Sequence, residues 1–209
     1  MQILTLVIDL LFPPREGEKL LRTLEVDGLL PLILPREIES PECVILCLLS
    51  YRTPSVHAAI VEAKFHGNVH AQKLLGDVLQ EYLLDFLREE AALSAPVVLV
   101  PIPLSRERRR ARGYNQVEAL CRAAVSREGG ITVDSSVLVR TRDTAPQTSL
   151  AREARLKNME GAFSATEVRP DTTYVVVDDV TTTGATLHAA AQALQEAGAS
   201  HCILLALAH

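Results

Sequence analysis

The sequence predicts an α/β domain built on a mostly parallel sheet flanked by helices. Three observations carry this. Val97-Val98-Leu99-Val100 and Val175-Val176-Val177 are short, unbroken apolar runs, as strands buried on both faces show. Each is followed by a polar loop and then by residues at helical spacing. Cys202–Ala206 is a third hydrophobic run near the C-terminus, so strand–helix–strand recurs from Val97 onward. At 209 residues with 48% hydrophobic content, the chain suffices for one domain with an appendage.

Residues 1–50 are broken into short pieces by Pro13, Pro14, Pro31, Pro35 and Pro41, and read as a small irregular N-terminal appendage. Ile3–Phe12 is apolar but carries Asp9, and lacks a basic leader and a small-residue cleavage site. It is shorter than the roughly 20 residues a bilayer requires and reads as an amphipathic helix or a buried segment. No other run is a membrane candidate. Cys43–Leu49 is apolar throughout and fits either a strand or a buried turn of helix.

From residue 51 to 209 the main domain is expected. A helix begins at Ser55, runs to Phe65 and stops at Gly67-Asn68. A second, from about Val69 to Ala92, has Leu74, Leu75, Val78, Leu79, Tyr82, Leu83, Phe86 and Leu87 at helical spacing. The strand Val97–Pro103 leads into Leu104-Ser105 and then five arginines between Arg106 and Arg112. Such a run is either a solvated face or an anion site, since guanidinium forks suit phosphate and pyrophosphate. Its place beyond the carboxyl end of a strand favours the anion site. Val117–Ser126 reads as helix, and Ile131–Arg140 has strand character around Asp134-Ser135-Ser136. Thr141–Asn158 is polar and basic, and reads either as a mobile lid or as a variable surface loop.

The stretch around which the rest is organised is Tyr174–Thr186: strand, then Asp178-Asp179, then a hydroxyl-rich turn of Thr181, Thr182, Thr183, Gly184, Ala185 and Thr186, then a helix from Leu187 to Ala197. The turn directs backbone N–H groups and hydroxyls to one spot at the positive end of a helix dipole, which is a phosphate cradle. The two carboxylates suit the hydroxyls of a sugar phosphate, or a metal riding on it.

Net charge is −5, which leaves no general nucleic-acid footprint. Cys43, Cys47, Cys121 and Cys202 are irregularly spaced, so reduced core thiols and a cytoplasmic protein are expected rather than a closed zinc site.

The Tyr174–Thr186 run resembles the signature of the type I phosphoribosyltransferases, with four apolar residues, two acids and a Thr/Gly loop. Further motifs resemble the ComF-like branch in particular: Leu11-Phe12-Pro13-Pro14, Lys64-Phe65-His66-Gly67, Val100-Pro101-Ile102-Pro103-Leu104, Arg112-Gly113-Tyr114-Asn115-Gln116 and Gly161-Ala162-Phe163. The spacing Arg140…Gln147…Leu150…Arg155…Asn158 also follows that family's order.

The resemblance implies a site for phosphoribosyl pyrophosphate (PRPP). Its 5-phosphate would lie on Thr181–Thr186, and its ribose hydroxyls on Asp178 and Asp179, which would also steady positive charge as the bond to pyrophosphate breaks. Pyrophosphate would be held by Pro101, Ile102, Pro103, Leu104 and Ser105 with Arg106 or Arg112. Mg²⁺ is implied as counter-ion held through PRPP rather than by direct protein ligands. Arg140, Gln147, Arg155 and Asn158 would mark a flexible lid. The reaction implied is phosphoribosyl transfer to an unidentified nitrogen acceptor. The alternative is a non-catalytic PRPP- or nucleotide-binding adaptor of the DNA uptake machinery, with a competence helicase or single-stranded DNA as partner. A homo-oligomer is left open. Members of the family usually carry a Cys-x-x-Cys zinc ribbon after the Leu-Phe-Pro-Pro start; Arg15-Glu16-Gly17-Glu18-Lys19 stands there in this chain, so no zinc is expected.

Overall fold

The computed structural model describes residues 14–40, 43–89, 95–125, 130–143 and 158–209. The Ile3–Phe12 segment, the Leu11-Phe12-Pro13 start and the lid positions Gln147 and Arg155 lie outside them. The described strands are β1 (Arg36–Ser40), β2 (Cys43–Leu49), β3 (Val97–Pro101), β4 (Ile131–Val133), β5 (Leu138–Arg140), β6 (Phe163–Ala165), β7 (Thr173–Val180) and β8 (His201–Ala208). The described helices are α1 (Glu16–Leu21), α2 (Pro54–Phe65), α3 (Val69–Glu89), α4 (Arg106–Arg112), α5 (Gln116–Ala124) and α6 (Ala185–Glu196).

Six strands form one sheet in the order β1-β2-β8-β7-β3-β4, parallel except for the edge strand β1. This is the expected α/β class. β7 and β8 are apolar on both faces because helices cover both. Val175, Val177, Leu205 and Leu207 face α2, α3 and α5 in one core. Tyr174, Val176, Leu204 and Ala206 face α6 and the β5–β6 hairpin in the other. Gly76 of α3 brings that helix close to α5, where an added Cβ would meet Ala123 Cβ at 2.5 Å.

Cys43–Leu49 is a strand, pairing in parallel with β8, with Ile45 opposite Leu204. The appendage expected over residues 1–50 therefore supplies two strands to the central sheet. The remainder of it, from Pro14 to Leu34, packs on the α2–α3 side, with Leu21 and Leu29 in the core. Arg15 docks it there: Nε donates to Glu62 Oε1 at 2.8 Å and Nη2 to Oε2 at 2.7 Å. Glu62 is buried in α2, and this bidentate pair holds its carboxyl below the usual range.

Ile131–Arg140 is split between two sheets. Asp134 Oδ1 accepts from Ser136 N, Ser136 Oγ and Val137 N, closing a tight turn that sends β5 away from β4. The four cysteines are free thiols, with Cys47 and Cys121 buried. Cys43 and Cys47 sit four residues apart on one strand, about 13 Å at the usual rise, too far to share one ion. No described helix is long and apolar enough to cross a membrane.

Candidate active site at the switch between β3 and β7

From β3 the chain passes through α4 and α5 on one face to β4. From β7 it passes through α6 on the other face to β8. The winding reverses between β3 and β7, and the crevice beyond their carboxyl ends is where an open α/β sheet binds ligands. Both sequence-predicted loops lie there. Val177 pairs with Pro101, and Ile102 N donates to Val177 O at 2.9 Å, so residues 101–105 run beside Asp178-Asp179.

Asp178 and Asp179 belong to β7 itself, not to the loop after it. The pleat therefore sends them to opposite faces. Asp179 points to the α2–α5 side, where Lys64 Nζ lies 2.7 Å from its Oδ2 and Gln116 Nε2 donates to the same oxygen at 3.0 Å. Val180 N donates to Oδ1 at 2.8 Å. Burial opposes ionisation of Asp179, but the Lys64 ammonium and these donors hold its carboxyl below the usual range. Asp178, half-buried, accepts from Asp179 N at 2.8 Å. Burial and the neighbouring Asp179 charge push its pKa up to about 8. Lys64 offsets part of that rise, and the Asp178 charge in turn favours the charged form of Arg140 on β5.

The loop after β7 is shaped by Gly184, at φ +77° and directly before α6. A Cβ there would collide with Ile45 Cδ1. Thr181 Oγ1 accepts from Gly184 N at 3.2 Å, closing the turn. Thr183 Oγ1 is buried with no hydrogen-bond partner among the described residues. Thr182 is exposed, Thr186 half-buried and Ala185 buried.

The Arg112–Gln116 motif is a clamp. Arg112 stacks on Phe65 at 5.1 Å and donates to Gln116 Oε1 at 2.8 Å. Tyr114 Oη donates to Ala63 O. Asn115 caps α5 by accepting from Val117 N and donates to Ile102 O at 3.0 Å. The motif thus ties the end of α2, the end of β3 and Asp179 together. Pro101 and Ile102 are buried, and Pro103 and Leu104 half-buried. Ser105 is buried and caps α4. Arg106 is exposed, and its N–H donates to Asp143 Oδ1 at 3.1 Å. Of the lid positions, Arg140 lies over Phe163 and Asn158 offers its carbonyl to Arg142.

Two residues without an assigned role in the sequence reading enter the site: Lys64 and Gln116. Lys64 and Gln116 stand within the Lys64–Gly67 and Arg112–Gln116 motifs. That they meet at one carboxylate depends on the packing of α2 against α5, which no local pattern encodes.

Residues 113–209 match the family model described as phosphoribosyl transferase domain. The chain is similar to DNA utilization protein YhgH of Salmonella typhimurium, with 33% identity over 74% of this chain and 67% of the relative. It is similar to competence protein F of Haemophilus influenzae, with 27% identity over 77% of this chain and 70% of the relative. Competence protein ComFC of Streptococcus pneumoniae is 35% identical over 61% of this chain and 55% of the relative.

Proposed function

The chain belongs to the ComF-like family of the type I phosphoribosyltransferase fold, and from that premise we propose that it binds PRPP and transfers the phosphoribosyl group to a nitrogen acceptor. The observation that carries the reading is the Asp178–Gly184 segment at the winding reversal, where a half-buried carboxyl and the buried, unpartnered Thr183 hydroxyl flank the start of α6. A phosphate oxygen would satisfy that hydroxyl and the positive end of the helix together.

In this reading the 5-phosphate rests on Thr181–Thr186. Asp178 accepts from a ribose hydroxyl. Asp179, already engaged by Lys64 and Gln116, fixes the strand end and keeps negative charge beneath the sugar. The bond from the sugar carbon to pyrophosphate breaks with its electron pair leaving on pyrophosphate. The acceptor nitrogen supplies the pair for the new bond and releases a proton. Mg²⁺ would be carried by the substrate phosphates rather than by direct protein ligands. When bound, Mg²⁺ would neutralise charge on the departing pyrophosphate.

Calorimetric titration of PRPP with and without Mg²⁺ tests this. Mg²⁺-dependent binding, weakened at least about tenfold in Asp178→Asn (about 1.4 kcal/mol), is the expected result. Absence of PRPP binding to the intact protein would reject it.

A second reading, a PRPP- or nucleotide-binding adaptor in DNA uptake, is favoured by the names of the relatives and by the exposed Arg106 and Arg109 of α4. Binding to single-stranded DNA that falls steeply with added salt would support it. Salt-independent or undetectable binding would count against its nucleic-acid half.

A further inference from the structure

β2 and β8 run in parallel, with Ile45 opposite Leu204 and Cys47 opposite Ala206. The same register, carried two residues toward the start of both strands, sets Cys43 opposite Cys202. Along that row Cys202 pairs with Tyr174 of β7, and Tyr174 with Val98 of β3. All four lie in or against the core on the α6 side, so the two thiols share one face of the sheet. Both are half-buried, and neither is in a disulfide. Neighbouring strands stand about 4.8 Å apart, within the roughly 4.4–6.8 Å between α-carbons that a disulfide spans. Neither of the other cysteines is so placed: Cys47 stands opposite Ala206, and Cys121 lies in the other core. The row is at the amino end of β8, away from Asp178, which pairs with Ala206.

We propose that Cys43 and Cys202 are a redox-active pair, which a low-molecular-weight disulfide converts into a reversible cross-strand disulfide. One thiolate attacks the small disulfide and expels a thiol, and the second thiolate attacks the mixed disulfide and expels the other. The two protein thiols give up two electrons and their protons, and the small disulfide is reduced to two thiols. Burial pushes the Cys202 thiol up to about 11, so its thiolate is scarce at neutral pH and the exchange is slow. Side chains directly opposite on parallel strands leave the sheet side by side, whereas a disulfide needs Cβ atoms about 3.8 Å apart. The strands must draw together locally, and that strain makes the bond one that small thiols reopen. β2 belongs to the appendage of residues 1–50 and β8 to the main domain, so the bond clips the appendage strands to the sheet they join. It also fixes the strand whose Ile45 approaches Gly184. The inference does not require a ligand in the Thr181–Thr186 loop.

The test is incubation of the folded full chain in glutathione buffers of rising oxidised-to-reduced ratio, followed by acid quenching, alkylation and peptide mapping by mass spectrometry without reductant. The expected product has lost two of its four thiols and carries one link within the chain, between the Cys43 and Cys202 peptides. Reduced glutathione restores all four thiols without unfolding. Amide exchange of β2 slows in the linked form, because the strand can no longer part from β8. Cys43→Ser and Cys202→Ser each abolish the link, while Cys47→Ser and Cys121→Ser still form it. A link between Cys43 and Cys47, a link between chains, or glutathione adducts without closure overturns the proposal. So does retention of all four thiols in the folded protein, or a link that forms only in urea. Unchanged β2 exchange in the linked form overturns the clip.

Discussion

Asp178 and Asp179 are adjacent in the chain and face opposite sides of the central sheet, one toward Arg140 and α6, the other bound to Lys64 at 2.7 Å. The two carboxylates therefore do not form one chelating pair. Asp179 is anchored by three donors and ionised, and its charge is one cause of the raised pKa of Asp178. The asymmetry separates an acid locked by its ion pair from one that is half-buried.

Removing the cation exposes the anchor. Lys64→Met leaves a carboxylate that is 4% exposed without its counter-charge. Breaking a buried pair from one side costs about 3–5 kcal/mol, and the partial exposure of Lys64 puts the expected loss near about 3. Urea denaturation of Lys64→Met, Asp179→Leu and the double variant measures it. The double variant should be more stable than Lys64→Met. Additive losses would show that the contact carries no coupling.

Asp178 predicts a pH dependence of stability. Its pKa rises to about 8 in the folded chain, from an ordinary value of 3.8. Between these values the native state holds a proton that the unfolded chain has released, so this group's contribution to stability falls as pH rises from about 4 to about 8. Asp178→Asn removes the titration. The variant should gain stability relative to the parent as pH rises, with the difference levelling off above pH about 8. Parallel thermal denaturation curves across that range would contradict the raised pKa.

Gly184 is required twice over, by its left-handed backbone and by the approach of Ile45. Gly184→Ala should cost about 1–2 kcal/mol for the left-handed conformation and a further ~1–3 for overpacking a buried site. Ile45→Val removes the Cδ1 that an alanine would strike. In the double variant the packing cost should be relieved and the conformational cost remain, so partial recovery of the denaturation midpoint is expected. Full recovery would show that the backbone at Gly184 relaxes.

The sequence made the strands at Val97 and Val175, the turn at Thr181–Gly184 and the helix that follows it legible, because each is a contiguous pattern. It did not distinguish strand from helix at Cys43–Leu49, since an unbroken apolar run has no period and the deciding partner, β8, is remote in the chain. A strand that stops with the β-branched run at Val177 would leave Asp178 and Asp179 as one constellation. Pairing of Asp178 with Ala206 and of Val180 with Ala208 carries the pleat through both acids and splits them. The role of Lys64 is not legible in its own motif for the same reason: a salt bridge between α2 and β7 is a property of packing.

Asn115 supports the last prediction, because one side chain makes two separable bonds. Its Oδ1 caps α5 and its Nδ2 holds Ile102 O, and both are buried. Asn115→Ala should lose about 1 kcal/mol for the cap and a further ~1–3 for the unpaired carbonyl. Asn115→Ser restores an acceptor for Val117 N but is too short to reach Ile102, so it should recover only the first part. Because Ile102 leads the loop that runs beside Asp178, both variants should also weaken pyrophosphate or PRPP binding more than their stability loss alone explains. Serine behaving as wild type in urea denaturation would mean that Ile102 is held by the strand bond to Val177 and needs no second tie.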